Sequence, residues 1–267
     1  MCFFNYRGLN LKVVILAGGY GTRIRDVGDD IPKPMIPIGP YPILWHIMKT
    51  YSKFGITDFI ICLGYRGQAI KDFFLNYEAF TRDFTISLSG QSEIKYHNKH
   101  NESNWNITLA DTGLRSMTGS RISRIKHYLN NEDFMVTYGD GVSDIDIQKL
   151  IDFHNSHNKL LTVTGVRPPG RFGEMNSDLS GQVLEFNEKP QASAGRISGG
   201  YFVASNKLFD YLDDDENLVF EQEPLKKIVK DGELMMYKHD GFWQPMDTSR
   251  EYQLLNSLYD SGNAPWV

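Results

Sequence analysis

Leu11 to Ala17 (LKVVILA) is a continuous apolar run that stops at glycines, the pattern of a strand buried on both faces of a parallel sheet. Gly18 to Ile31 then reads as a loop. From Pro42 onward, Ile43, Leu44, Ile47, Met48 and Tyr51 recur at helical spacing, with Pro42 suited to the first helical position and Gly55 beyond the end. Asp58 to Leu63 predicts a second buried strand and Gly67 to Tyr77 a second helix. A helix around Ile122, Ile125 and Leu129 leads into a further strand, Asp133 to Tyr138. Strands alternating with helices call for a parallel sheet with right-handed crossovers. After residue 160 the pattern changes: Leu160 to Val166, Gln182 to Asn187 and Gly200 to Ala204 read as strands with few long helices between them. Helices return at about Glu223 to Lys230 and Ser249 to Tyr259. The expectation is an α/β core whose later strands carry substrate-binding loops. Residues 1–10 read as an extension outside it and 11–267 as a single domain, since no linker rich in Pro, Gly or Ser divides the chain.

At 267 residues and 41% hydrophobic, the chain can bury a sizeable core. A formal charge of -5 disfavours a protein that tracks nucleic acid, which needs clustered Lys and Arg, and favours a small-molecule partner. Of the two cysteines, Cys62 lies inside the apolar run Phe59 to Leu63, where a thiol acts as a small core hydrophobe. No stretch approaches the ~20 apolar residues of a membrane span, and Met1 to Asn10 lacks the apolar segment of a signal peptide. These features predict a soluble cytoplasmic protein with no membrane partner.

The strongest chemical signal is Leu16-Ala17-Gly18-Gly19-Tyr20-Gly21-Thr22-Arg23, directly after the first strand, followed by Pro32-Lys33-Pro34. Glycines at a strand end let backbone N–H groups turn inward and approach an anion closely, as a phosphate cradle requires. Arg23 can fork onto phosphate oxygens, and Lys33 supplies a compact point charge. Two rival motifs fail: a dinucleotide fingerprint starting at Gly19 needs a small residue where Ile24 stands, and no G-x-x-x-x-G-K-[ST] can be drawn. The second signal is Tyr138-Gly139-Asp140-Gly141, a carboxylate at the end of a buried strand. Ligands of open α/β sheets sit beyond the carboxyl ends of strands, so Asp140 should face the same crevice as the glycine loop. Magnesium takes few protein carboxylates and keeps water and phosphate oxygens as its other ligands. By position, Asp247 is either a second ligand or the N-cap of the helix beginning near Thr248.

Together these segments, with ILWHIMK at 43–49, DTGLRSMTGSRI at 111–122, PPGRFG at 168–173, NEKP at 187–190 and GFWQPMDT at 241–248, resemble the sugar-nucleotide pyrophosphorylases. Within that family, the WHIMK, PPGRFG and WQPMDT segments are similar to the glucose-1-phosphate cytidylyltransferase branch. The resemblance runs from Leu11 to the Ala264-Pro265-Trp266 tail. It implies a Rossmann-like, mixed but mainly parallel sheet flanked by helices, and a homo-oligomer. It implies an enzyme that condenses CTP with a sugar 1-phosphate, glucose 1-phosphate first among them, to give a CDP-sugar and pyrophosphate. UTP, dTTP or another phosphorylated acceptor remain as alternatives, and a non-catalytic sensor of sugar nucleotides is a more remote one.

Carried over residue by residue, the resemblance makes Leu16, Ala17, Gly18, Gly19, Tyr20, Gly21 and Thr22 the nucleotide loop. Arg23 and Lys33 become the phosphate-neutralising catalytic pair, and Asp140 and Asp247 the Mg2+ ligands. Arg115, Ser120 and Gly139 fall on the nucleotide side, Glu188 and Lys189 toward the sugar phosphate, and Gly200 beside the hexose. Four positions depart from the family pattern: Pro32 replaces a lysine, Arg115 a small hydroxyl residue, Ser120 a glycine and Ser198 an asparagine. Elsewhere, Asp213 to Glu216 reads as a solvated turn, and His154 and His157 as surface histidines, with no further ligand nearby in sequence. His46 suits packing or an interface. Phe242, Trp243, Tyr252 and Trp266 fit either core or a subunit contact.

Overall fold

Strand β1 (Lys12–Leu16) forms where the sequence is KVVIL, and its side chains alternate between two buried clusters, Val13 and Ile15 on one face of the sheet, Val14 and Leu16 on the other. The computed structural model describes residues 11–21, 24, 31–88, 93–168, 174–178, 180, 182–187 and 195–267; the extension expected at 1–10 lies outside them. A short hairpin, β2 (Pro37–Ile38) and β3 (Tyr41–Pro42), leads into helix α1 (Ile43–Ser52), for which Pro42 is the N-cap rather than the first helical residue. Then come β4 (Asp58–Leu63), α2 (Gly67–Leu75), α3 (Tyr77–Thr81), a second hairpin of β5 (Phe84–Ile86) and β6 (Ile94–Tyr96), and β7 (Asn106–Asp111). The helix expected as one piece to Tyr77 is broken at Asn76, and α3 restarts after it.

Helix α4 (Thr118–Arg124) precedes β8 (Phe134–Tyr138), β9 (Gly141–Ser143), α5 (Ile147–His157) and β10 (Leu161–Val166). The remaining elements are the pair β11 (Glu174–Ser177) and β12 (Val183–Asn187), then β13 (Ile197–Ala204), α6 (Glu223–Lys230), β14 (Leu234–His239), β15 (Trp243–Pro245) and α7 (Ser249–Asp260). The main sheet has the order β14-β10-β13-β8-β1-β4-β7. Strand β1 pairs in parallel with β4 and β8, whereas β13 runs antiparallel to both β8 and β10, so the sheet is mixed but mainly parallel. The carboxyl ends of β1, β4, β7 and β8 therefore share one rim, where a ligand belongs in such a fold.

Trp266 is fully buried, and Phe242 stacks on it with ring centroids 5.4 Å apart, so the tail belongs to the core under α1; Trp243 and Tyr252 pack against it half-buried. His46 is buried there too. Its Nε2 meets the Ile38 carbonyl at 2.9 Å, and the Trp266 indole N–H donates to its Nδ1 at 3.3 Å. An indole only donates, so Nδ1 must be unprotonated and His46 neutral. Burial pulls its pKa down from 6.5 to about 4. The native state thus refuses a proton that the unfolded chain accepts, and stability is full above pH 6.5 and declines as pH falls toward 4. The loss reaches about 3 kcal/mol at the acid end. Urea unfolding at pH 7.5 and 5 should show a smaller acid loss in His46→Asn than in the wild type.

His154 corrects an expectation. It is buried, not on the surface, because it faces the sheet: His154 and His157 both hydrogen-bond the Thr162 hydroxyl on β10, at 2.8 and 2.9 Å. Among the described residues, no group of three or more His, Cys, Asp or Glu converges as a metal site, and no helix is long and apolar enough to cross a membrane.

Candidate active site

Beyond β1 the chain cannot keep a side chain at residue 18. A Cβ on Gly18 would stand 2.3 Å from the guanidinium of Arg121, which fills the space behind the loop. Arg121, buried in α4, donates from one nitrogen to the Leu63 carbonyl, the Thr112 hydroxyl and the Gly113 carbonyl, each at 2.8 Å, and from the other to the Gly18 carbonyl at 3.1 Å. One cation thus ties together the chain leaving β1, β4 and β7. Gly19 has open space where its side chain would be, Gly21 takes a left-handed φ of +59°, and Tyr20 is exposed with its ring 5.0 Å from Tyr65. The turn leaves the backbone of 19 and 21 lining a cleft with Lys33, Gly139, Asp140 and Asp247.

Lys33 begins a short 3-10 turn between Pro32 and Pro34, which fixes its backbone, and Gly21 lies against its stem: a Cβ there would be 3.0 Å from the Cβ of Lys33. Asp140 sits in the turn between β8 and β9. Strand β9 pairs antiparallel with β15, matching Gly141 to Pro245, and the Met246 N–H donates to the Asp140 carbonyl at 2.8 Å. That clip delivers Asp247 to Asp140. Both carboxylates accept from one ammonium, Asp140 Oδ2 at 2.6 Å and Asp247 Oδ1 at 2.5 Å from Lys33 Nζ. Burial works against the charge on Lys33, but the two carboxylates outweigh it and hold its pKa above the ordinary lysine value. The N-cap of α7 is Thr248, in a capping box with Glu251, so Asp247 is not the cap; its own N–H donates to Glu251 Oε2 at 2.6 Å.

Of the other expected site residues, Leu16, Ala17 and Gly139 line the same cleft, with Gly139 buried against the Leu16 carbonyl. Gly200, with φ +79°, lets the Tyr138 ring approach to 2.4 Å of where a Cβ would be. Arg115 is exposed before α4, while Ser120 is buried inside that helix with no hydrogen-bond partner among the described residues. Thr22, Arg23, Glu188 and Lys189 lie outside the described residues. Two residues that the sequence did not single out brace the segments around the strand ends and the start of α4. One is Arg121. The other is Glu221, whose carboxylate accepts from the Tyr138 hydroxyl and, at 2.7 Å, from the hydroxyl of Thr118 at the start of α4. Replacing Arg121 with Met should cost about 3 kcal/mol or more, because several buried acceptors lose a charged donor together. A urea midpoint within error of the wild type would contradict that role.

The family model for nucleotidyl transferases matches residues 12–252. The chain belongs to the nucleotidyl transferase family. Glucose-1-phosphate cytidylyltransferase of Salmonella typhi is 48% identical over 257 residues, 96% of this chain and 98% of the relative. A probable glucose-1-phosphate cytidylyltransferase of Bacillus subtilis (strain 168) is 43% identical over 96% of this chain and 99% of its own length. This nucleotidyl transferase also shares its fold with a solved structure of HddC from Yersinia pseudotuberculosis, with a TM-score of 0.66, 24% identity and coverage of 93% of this chain and 99% of that one. The mixed, helix-flanked sheet is the family architecture, as the sequence led us to expect.

Proposed function

We propose that this nucleotidyl transferase condenses CTP with glucose 1-phosphate to give CDP-glucose and pyrophosphate. The observation that carries this reading is the 48% identity to a glucose-1-phosphate cytidylyltransferase along nearly the whole of both chains. The cleft supports it chemically. A phosphate oxygen of the sugar 1-phosphate attacks the α-phosphorus of the triphosphate in line, pyrophosphate leaves opposite, and no covalent enzyme intermediate is required. Such a reaction asks the protein for positioning and charge neutralisation. The loop at 18–21 offers backbone to the triphosphate, and Arg23, assigned by its motif, takes the β and γ phosphates. Lys33, beside Gly21, bridges toward the α-phosphate and the incoming phosphate, whose like charges otherwise repel. Glu188 and Lys189 are assigned to the sugar phosphate, and Gly200 to the hexose.

The described cleft brings two carboxylates together at one ammonium, an anionic pair that a cation accompanying the triphosphate would neutralise. The two bonded oxygens share one Nζ and so lie within about 5 Å of each other, close enough to converge on one ion with a small adjustment, and two hard carboxylates are the donor set that Mg2+ accepts. The residues fit: Asp140 and Asp247 would hold magnesium, which supplies charge neutralisation to the triphosphate. A cytoplasmic homo-oligomer completes the reading, and light scattering on the purified chain tests its assembly.

Pyrophosphate release measured with four nucleoside triphosphates and a panel of sugar 1-phosphates tests the substrates. CTP with glucose 1-phosphate should give the highest kcat/KM. Equal or greater kcat/KM with UTP or dTTP would defeat the assignment.

A further inference from the structure

Mg2+ bound by two carboxylate oxygens stands about 2.1 Å from each. The ammonium of Lys33 already lies 2.6 Å from one such oxygen and 2.5 Å from the other. Two cations cannot share that space. The Lys33 side chain is only 12% exposed and its stem is pinned against Gly21, so the ammonium is a resident of the cleft and not a loose surface charge. Lys33 thus touches the loop with its stem and the carboxylates with its ammonium. The contact is at the Cβ of Lys33, so the flexible stem beyond it leaves the ammonium able to turn from the aspartates toward phosphates held on the loop.

We propose that Lys33 closes the Asp140 and Asp247 pair against a free divalent ion, so that metal enters only with the nucleotide, whose phosphates draw the ammonium away. This rests on the magnesium site of the preceding reading. Lys33 relieves the repulsion between the carboxylates and keeps them in register until the nucleotide binds. When the nucleotide arrives as its metal complex, the phosphates offer Lys33 new partners as the incoming ion takes the old ones. The species that the cleft selects is the metal–nucleotide complex, and not the ion followed by the nucleotide.

The test is Mn2+ binding to the full chain, followed by loss of the free-ion electron paramagnetic resonance signal, with no turnover needed. Without nucleotide, Lys33→Met should bind Mn2+ at least tenfold more tightly than the wild type. Lys33→Arg, which keeps the charge, should stay near the wild type. Adding Asp140→Asn to Lys33→Met should abolish the gain. A non-hydrolysable CTP analogue should raise the wild-type Mn2+ affinity at least tenfold after subtraction of the Mn2+ that the analogue binds without protein. If Lys33→Met does not fold, Lys33→Gln serves as the neutral variant. Mn2+ binding to the nucleotide-free wild type as tight as to the neutral variant, and dependent on Asp140, would overturn the gate while leaving the metal site standing. No Asp140-dependent Mn2+ binding in any variant, with or without the analogue, would remove the metal site and the gate together.

Discussion

Asp140→Asn and Asp247→Asn are each expected to lower kcat by roughly 10²-fold or more, the scale seen when one preorganised electrostatic contact is lost at a reacting centre. Asn is nearly isosteric with Asp and can still accept a hydrogen bond from Lys33, so the local fold should survive. What it lacks is the charge. The β9–β15 pairing that brings the two residues together is made by backbone groups, which neither substitution touches. Steady-state kinetics beside circular dichroism and a urea curve separate the two effects. Full activity in either variant would remove that carboxylate from the reaction, and a collapse in stability would make it structural instead.

Lys33→Ala is expected to reduce kcat and kcat/KM together, again by roughly 10²-fold or more. Its charge matters most when two phosphate groups are forced together, and an interaction made chiefly in the transition state appears in both constants. The variant also leaves two carboxylates facing each other without their shared counter-charge. A raised KM for CTP with unchanged kcat would show that Lys33 only binds the ground state.

How far these residues could be read in the chain depended on where their partners lie. The cores of β1, β4 and β8 were legible because central parallel strands are apolar without interruption, and α1 and α6 because their apolar faces recur with the helical period. The edge strands β7 and β14 were not. Only Ala110 of β7 is buried, and β14 is half-buried at best, so neither carries a continuous run. The three-residue strands β9 and β15 are too short for any period, yet they are what joins Asp140 to Asp247. The glycine loop and Asp140 stood out because they follow strand ends directly. By position alone Asp247 was open between ligand and helix cap, the resemblance pointed to the ligand, and the capping box of Thr248 and Glu251 removes the cap reading. Arg121 escaped notice because its partners are almost all carbonyl oxygens, which every residue has. Glu221 escaped because its two hydroxyl partners lie far away in sequence.

The clip between β9 and β15 also fixes when this enzyme can come alive. During synthesis the glycine loop, Lys33 and Asp140 emerge first, and β1 and β4 can already pair. Asp247 arrives only later, once Trp243 to Pro245 can lie along Gly141 to Ser143. A nascent chain halted before that point carries half of the carboxylate pair and no strand to orient it. The carboxylate pair therefore exists only once β15 has docked along β9.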